Sequence, residues 1–222
     1  MTPDYLIIDF DSTFITKESL DELASHVLSQ SSTDKYIVKK IQQITNDGMS
    51  GKISFYESIN SRLQLMMASR DDVQVVSKNL KDHVSPSFYR NKDFINKHQR
   101  KIYFVSGGFR EMLLPVLTEY GINNEHVFGN EFIYDDNKDK VLGFDKNNPL
   151  ADLNGKAKII KSLSLMGEIH AIGDGYNDYQ LKASGAVSKF FAFTENVYRK
   201  NVCELADKIL SSFDDYIKIF DD

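Results

Sequence analysis

Leu6-Ile7-Ile8-Asp9-Phe10-Asp11-Ser12-Thr13 is the stretch on which the reading of the chain turns. Three aliphatic residues run directly into two carboxylates spaced i, i+2. An apolar run this short, ended by an abrupt polar turn, predicts a strand buried on both faces. In open parallel sheets, ligands bind beyond the carboxyl ends of the strands, and Asp9 and Asp11 stand at that end. Two acids so close repel each other and lose solvation on burial. They need a cation, a shared proton or open solvent. Taken alone, the pair also fits a strand ending in a solvated acidic turn, so the rest of the chain must decide.

Beyond Thr13 the periodicity changes. Leu20, Leu23, Ala24, Val27 and Leu28 fall on one helical face, and after a polar break at Ser29 to Asp34, Ile37, Ile41 and Ile44 form a second stripe. Asn46 to Lys52 reads as a Gly-containing turn. Ser54-Phe55-Tyr56-Glu57 has the hydroxyl-to-carboxylate spacing of a capping box, and the helix it opens carries Phe55, Ile59, Leu63 and Met66 on one face. Ser69-Arg70-Asp71-Asp72 opens another, with Val73, Val76 and Leu80 inward. Residues 16–82 therefore read as a helical cap, inserted into an α/β core made of residues 1–15 and 83–222.

From Ser85 onward strands and helices alternate. Lys101 to Val105 predicts a buried strand that ends in Ser106-Gly107-Gly108 and enters a helix from about Phe109 to Tyr120, in which Pro115 should cause a kink or a break. Val127 to Phe144 reads as a hairpin with a solvated acidic tip at Asp135 to Asp139. A helix follows from Lys156 to about Leu165. The strand Ile169 to Ile172 then runs into Gly173-Asp174-Gly175-Tyr176-Asn177-Asp178. Phe190 to Phe193 and Ala206 to Leu210 predict further strands, and Phe213 to Phe220 an amphipathic tail. The expected class is α/β: a doubly wound parallel, Rossmann-like sheet with an inserted small helical cap domain.

Composition narrows the function. The 222 residues, 41% hydrophobic and 27% charged, are those of an ordinary globular protein. A net charge of −5 with scattered Lys and Arg gives no nucleic-acid footprint. A single cysteine, Cys203, excludes an intramolecular disulfide and a Cys-rich zinc site, and fits a reducing compartment. No basic leader precedes the first strand, and no apolar run approaches the ~20 residues of a membrane span. A cytoplasmic protein that binds neither nucleic acid nor membrane is expected, with a homodimer left open.

Polar groups now stand at four element boundaries: Asp9 with Asp11, Ser106 with Gly107, Lys156, and Asp174 with Asp178. Each has a plain alternative as a turn or a solvated side chain. Together they suggest more, because such ends converge on one edge of a parallel sheet. A hydroxyl and free N–H groups at a helix start suit an anion, most naturally phosphate. A lysine at a helix N-terminus opposes the helix dipole, which an anion there would explain. Two carboxylates four residues apart suit a hard cation and the groups that orient it. His26, His83, His98, His126 and His170 form no cluster; His170, in a buried strand, reads as a satisfied core residue.

These motifs, with Ser12 and Thr13 completing the first and Gly173 to Asp178 the last, resemble the haloacid dehalogenase-like phosphatase superfamily, and within it the phosphoserine phosphatase branch. The likeness spans nearly the whole chain. It implies a Mg²⁺-dependent phosphomonoesterase of serine biosynthesis, acting on O-phospho-L-serine or, alternatively, on phosphoethanolamine, phosphocholine or phosphothreonine. Asp9 is then the nucleophile, and Asp11 the acid and base. Ser106, Gly107 and Lys156 hold the phosphoryl oxygens. Mg²⁺ sits on Asp9, the Asp11 carbonyl and Asp174, with Asp178 orienting its shell and Asn177 bonding either that shell or the substrate. Glu18, Met49, Phe55 and Arg62 fall where the branch surrounds the serine part. Arg62 shares the face of Phe55 and Ile59; it is either a snorkelling rim residue or a clamp for an α-carboxylate, with Glu18 pairing an α-ammonium. Ala157 replaces a usual Gly, and Tyr176 a usual small residue.

Two other classes fit less well. A signalling receiver domain also has clustered acids, a hydroxyl and a lysine, but needs neither a helical insert nor an acid pair after the lysine. A nucleotide-binding module fails because Asp178 stands where the third Gly of Gly-x-Gly-x-x-Gly belongs, and Gly155-Lys156 is followed by Ala157 rather than Ser or Thr.

Overall fold

A strand without a polar face must be covered on both sides. In β1 (Tyr5–Ile8), Leu6, Ile7 and Ile8 are all almost completely buried. A computed structural model of the chain describes residues 3–29, 32–49, 52–137 and 139–221. After β1 come four helices: α1 (Ser19–Val27), α2 (Ser32–Met49), α3 (Phe55–Met66) and α4 (Arg70–Asn79). The short α5 (Pro86–Arg90) and α6 (Lys92–His98) lead to β2 (Ile102–Phe109), α7 (Arg110–Thr118) and β3 (Val127–Asn130). A hairpin of β4 (Phe132–Tyr134) and β5 (Val141–Phe144) follows, then α8 (Gly155–Ser162), β6 (Ile169–Gly173), α9 (Tyr176–Ala183) and β7 (Lys189–Phe193). The chain ends with α10 (Lys200–Cys203), β8 (Lys208–Leu210) and α11 (Phe213–Asp221).

The main sheet has the order β3-β2-β1-β6-β7-β8, with every neighbouring pair parallel. One half winds outward from β1 to β3 and the other from β6 to β8, so the order reverses between β1 and β6. The fold is a doubly wound α/β sheet with a second, two-stranded antiparallel sheet of β4 and β5. Alternate residues of a strand face opposite sides. Leu6 and Ile8 accordingly join one buried cluster with Phe104 and Phe193, while Ile7 joins the other with Val105, Ala171 and Phe190.

Helices α1 to α4 share the first of these clusters, through Leu23, Ile41, Ile59 and Val76. The chain leaves and re-enters the sheet region side by side: Ile15 bridges Val84, and the Thr16 N–H donates to the His83 carbonyl at 2.8 Å. Both expected capping boxes form. The Ser54 hydroxyl accepts from the Glu57 N–H at 3.1 Å while the Glu57 carboxylate accepts from the Ser54 N–H at 3.0 Å, and Ser69 and Asp72 do the same. No helix among the described residues is long and apolar enough to cross a membrane.

Four local expectations need correction. Asn46 to Met49 continue α2 rather than forming a turn; a Cβ at Gly48 would stand 2.7 Å from the Ser58 hydroxyl, so the glycine serves the close approach of α2 to α3. The rest of that expected turn, and the middle of the polar break before α2, lie partly outside the described residues. Val127 to Asn130 is not part of the hairpin but the edge strand of the main sheet, pairing with β2. Pro115 leaves α7 in one piece; its ring faces solvent, where water can satisfy the carbonyl it frees. Finally, β2 runs on through Gly107 and Gly108 to Phe109, so these glycines are not at a helix start. Lys138, at the acidic hairpin tip, lies outside the described residues.

Aromatic rings tie the tail helix to the sheet. Phe88 is fully buried, with ring centroids 4.3 Å from Phe213, 5.0 Å from Phe14 and 5.3 Å from Phe193. Phe88→Ala removes three ring contacts at once and should lower the unfolding free energy by about 3–5 kcal/mol, measured by urea denaturation; a loss below about 1 kcal/mol would contradict this packing. The Arg90 guanidinium pairs with Asp214 at the start of α11, and holds its carboxyl down at about 2. A depressed pKa contributes stability above the unfolded value of about 3.9 that is lost as pH falls toward about 2. Asp214→Asn should therefore flatten the acid limb of the stability curve in that window, by less than about 1 kcal/mol because the pair is solvent-screened, and leave stability at pH 7 lower by the same amount.

Candidate active site

The reversal of strand order places the ends of β1 and β6 side by side, and each ends in an aspartate. Asp9 follows β1, its N–H donating to the Ile172 carbonyl at 3.0 Å; Asp174 follows β6. Beyond Asp9 the chain makes a wide turn over Phe10–Phe14 in which Ser12 adopts the left-handed conformation, φ +55°. For a serine this costs on the order of 1–3 kcal/mol, and the surroundings hold it. The Ser12 N–H donates to the Lys17 carbonyl at 3.0 Å and the hydroxyl to Glu18 at 2.6 Å. The Asn196 amide lies 3.1–3.2 Å from the carbonyls of Ser12, Thr13 and Ile15.

The end of β2 supplies the second wall. Between Val105 and Phe109 the strand advances four residues while β3 advances only from Phe128 to Asn130. The extra length bulges Ser106, Gly107 and Gly108 out of the ladder. Ser106 is buried, and its hydroxyl accepts from the Gly108 N–H at 2.9 Å. Phe55 of α3 rests on this bulge: a Cβ at Gly107 would stand 2.5 Å from the tip of the ring, so any larger residue there would make the ring shift.

Lys156, in the first turn of α8, is buried and donates to Asp9 Oδ1 and Asp178 Oδ1, each at 2.6 Å. The anion expected at this helix start is thus supplied from within the chain, by two carboxylates. Asp178 Oδ2 accepts from the Gly175 N–H at 3.0 Å at the start of α9. Asp174 accepts from the Thr13 hydroxyl at 3.1 Å and from Arg199 Nε at 3.0 Å.

Asp9, Asp174 and Asp178 bring carboxylate oxygens within 4.8 Å of one another. Burial, then repulsion from Asp178, pushes the Asp9 carboxyl well above its ordinary range; burial also raises Asp174, against the pull of Arg199. Burial opposes the charge on Lys156, but Asp178 and Asp9 more than offset it and hold the ammonium above its usual pKa. Three carboxylates this close, Asp174 and Asp178 buried and Asp9 partly so, suit a hard cation. The Asp11 carboxylate lies outside this group. It accepts from the Ser19 N–H at 2.8 Å, and burial pushes it up to about 6.

All the residues singled out from the sequence line one cleft of about 790 Å³: Asp9, Asp11, Ser106, Gly107, Lys156, Asp174, Asn177 and Asp178 from the sheet side, and Glu18, Met49, Phe55 and Arg62 from the helical side. Arg62 is only 7% exposed, so it is not a snorkelling rim residue. Among the described residues no cation pairs with Glu18; burial, then repulsion from Asp11 and Asp174, raises its carboxyl well above the ordinary range. Tyr176 is 44% exposed at the cleft, its ring 5.7 Å from that of Tyr179. Asn196 and Arg199 escaped the sequence reading, as did Asp21 and Thr45 beside Arg62; Thr13 was read as part of the first motif, but not as a partner of Asp174. The other four carry no motif, and only Thr45, polar on the apolar stripe of α2, left a local signal.

The description haloacid dehalogenase-like hydrolase matches residues 6–182 of the chain. The chain is 29% identical over 216 residues to the chloroplastic phosphoserine phosphatase of Arabidopsis thaliana, covering 96% of this chain and 70% of that one. It is 29% identical over 213 residues to phosphoserine phosphatase of Homo sapiens, covering 95% of this chain and 90% of that one. The crystal structure of a phosphoserine phosphohydrolase-like protein from Francisella tularensis subsp. tularensis SCHU S4 is similar at a TM-score of 0.85 and 30% identity, over 99% of each chain. A match that runs from β1 into α9, over a sheet that reverses between two aspartate-tipped strands, places this chain in the haloacid dehalogenase-like hydrolase family.

Proposed function

We propose that this protein is a Mg²⁺-dependent phosphomonoesterase that hydrolyses O-phospho-L-serine to serine and phosphate through a phosphorylated Asp9. The observation that carries this reading is the division of the cleft. An acid cluster with one lysine forms one wall, and a buried arginine and a glutamate with no ion-pair partner among the described residues form the other. A substrate that fits must carry a phosphoryl group at one end and both a carboxylate and an ammonium at the other. The similarity to phosphoserine phosphatases supports the same assignment.

Asp9 attacks phosphorus while the ester oxygen departs, taking a proton from Asp11. A carboxyl raised to about 6 can hold that proton near neutrality and ionise afterward. Asp11 then takes a proton from the water that cleaves the Asp9 acyl phosphate. Ser106, the Gly107 N–H and Lys156 hold the equatorial oxygens, where charge accumulates. Asp9, Asp174 and the Asp11 carbonyl would hold Mg²⁺, with Asp178 and Asn177 around them. When bound, the ion supplies the positive charge that offsets repulsion between the anionic nucleophile and the anionic ester. Residues 16–82 act as the selecting cap over a core of residues 1–15 and 83–222. Arg62 takes the substrate carboxylate, Glu18 its ammonium, and Met49 and Phe55 exclude water. Release of serine suits a cytoplasmic enzyme of serine biosynthesis.

Metal binding has a readout independent of turnover. At a hundredfold excess over Kd, Mg²⁺ stabilises by about 2.7 kcal/mol, raising the unfolding midpoint of a chain this long by roughly 5–10 °C. Asp174→Asn should abolish most of that shift; equal shifts in both proteins would rule out the acid cluster as the site. Phosphate release from L-phosphoserine, phosphothreonine, phosphoethanolamine, phosphocholine and p-nitrophenyl phosphate tests the substrate. L-phosphoserine should be preferred, with activity lost in EDTA and in Asp9→Asn. Arg62→Ala should lower kcat/KM for phosphoserine at least ~10-fold, the worth of one charged hydrogen bond. Metal-dependent activity on the generic ester alone would retain the chemistry and refute the Glu18 and Arg62 assignments.

A further inference from the structure

Arg62 does not stand alone in the wall of the cleft. Its Nε donates to the Ser58 carbonyl one turn back at 3.3 Å, and its Nη1 donates to the Thr45 hydroxyl at 3.1 Å. That hydroxyl has one proton and two acceptors in reach, Asp21 Oδ1 at 2.7 Å and the Ile41 carbonyl at 3.2 Å; the shorter contact, to the charged oxygen, takes it, and Asp21 Oδ1 itself lies 3.6 Å from Nη1. The relay crosses three helices: Asp21 on α1, Thr45 on α2, Arg62 on α3. Thr45 and Arg62 line the cleft, whereas Asp21 stands behind them and does not. Nη2 makes no hydrogen bond to any described residue.

We propose that Asp21 and Thr45 are positioning residues for substrate selectivity, fixing the inner edge of the Arg62 guanidinium so that its free edge meets the substrate carboxylate. The proposal rests on the phosphoserine reading and adds what makes the arginine selective. A free arginine side chain has many rotamers, and ordering it on binding costs affinity. Here that ordering is complete before the substrate arrives. A buried guanidinium also needs a counter-charge. Asp21 provides one from outside the cleft, leaving the cleft side open to a second carboxylate. Among the described residues, Thr45 is the one hydroxyl that both accepts from the arginine and donates to the acid, so it ties the 3.6 Å Arg62–Asp21 pair into one fixed geometry.

The test is the ratio of kcat/KM for O-phospho-L-serine to that for phosphoethanolamine, which lacks the carboxylate. It is measured with the full chain and Mg²⁺ for the wild type, Thr45→Val, Thr45→Ser and Asp21→Asn. The ratio does not depend on how much of a preparation is folded, so a simple loss of stability cannot mimic the effect. Thr45→Val and Asp21→Asn should each lower the ratio about tenfold, chiefly through KM for phosphoserine, while Thr45→Ser keeps it. A discriminating wild type whose ratio survives in Thr45→Val and Asp21→Asn overturns the proposal alone. So does a ratio lost equally in Thr45→Ser and Thr45→Val. A wild type that handles both esters equally overturns the carboxylate reading and this proposal with it.

Discussion

Three carboxylates crowd together where the sheet changes direction, two of them against one lysine and the third against an arginine, and much of the surrounding structure exists to make that tolerable. An isolated buried carboxylate is prohibitively costly. Asp9 and Asp178 share Lys156, Asp178 also takes the Gly175 N–H, and Asp174 takes Thr13 and Arg199. Even so, burial and mutual repulsion leave Asp9 and Asp174 with raised pKa values. The cluster is short of positive charge, so a hard cation held there would relieve the repulsion.

The position of the cluster follows from topology. β1 and β6 are neighbours from different halves of the sheet, and the helices that follow adjacent strands at such a reversal diverge. Into the gap comes the bulged end of β2, and over it the block α1 to α4. Leu23, Ile59 and Val76 of that block belong to the same buried cluster as Phe104 and Phe193. Phe55 touches the bulge itself at Gly107. Groups suited to phosphoryl chemistry and groups suited to recognising the rest of a substrate are therefore supplied by different parts of the chain, yet meet across one cleft.

Much of this was legible from residue order alone. Buried strands announce themselves as aliphatic runs, capping boxes as Ser-x-x-Glu and Ser-x-x-Asp, and functional strand ends as acids or a Ser-Gly-Gly where the run stops. Non-local pairing was harder to see. Val127 to Asn130 are four residues with a glycine, too short to separate an edge strand from half of a hairpin until β2 is seen beside them. Gly48 reads as a turn unless Ser58 is known to press against it. Pro115 reads as a break unless its exposed side is known.

The sequence by itself determined the class of fold and which polar groups stand at the element boundaries that line the cleft, because periodicity and motif spacing are local properties set by strand and helix geometry. The tertiary structure alone decided what each group faces. The partners of Lys156 lie 147 and 22 residues away, Arg199 reaches Asp174 across 25, and Arg62 meets Asp21 through Thr45 on a third helix. Charges of this kind take their pKa values and orientation from burial and neighbours, and no local pattern encodes either.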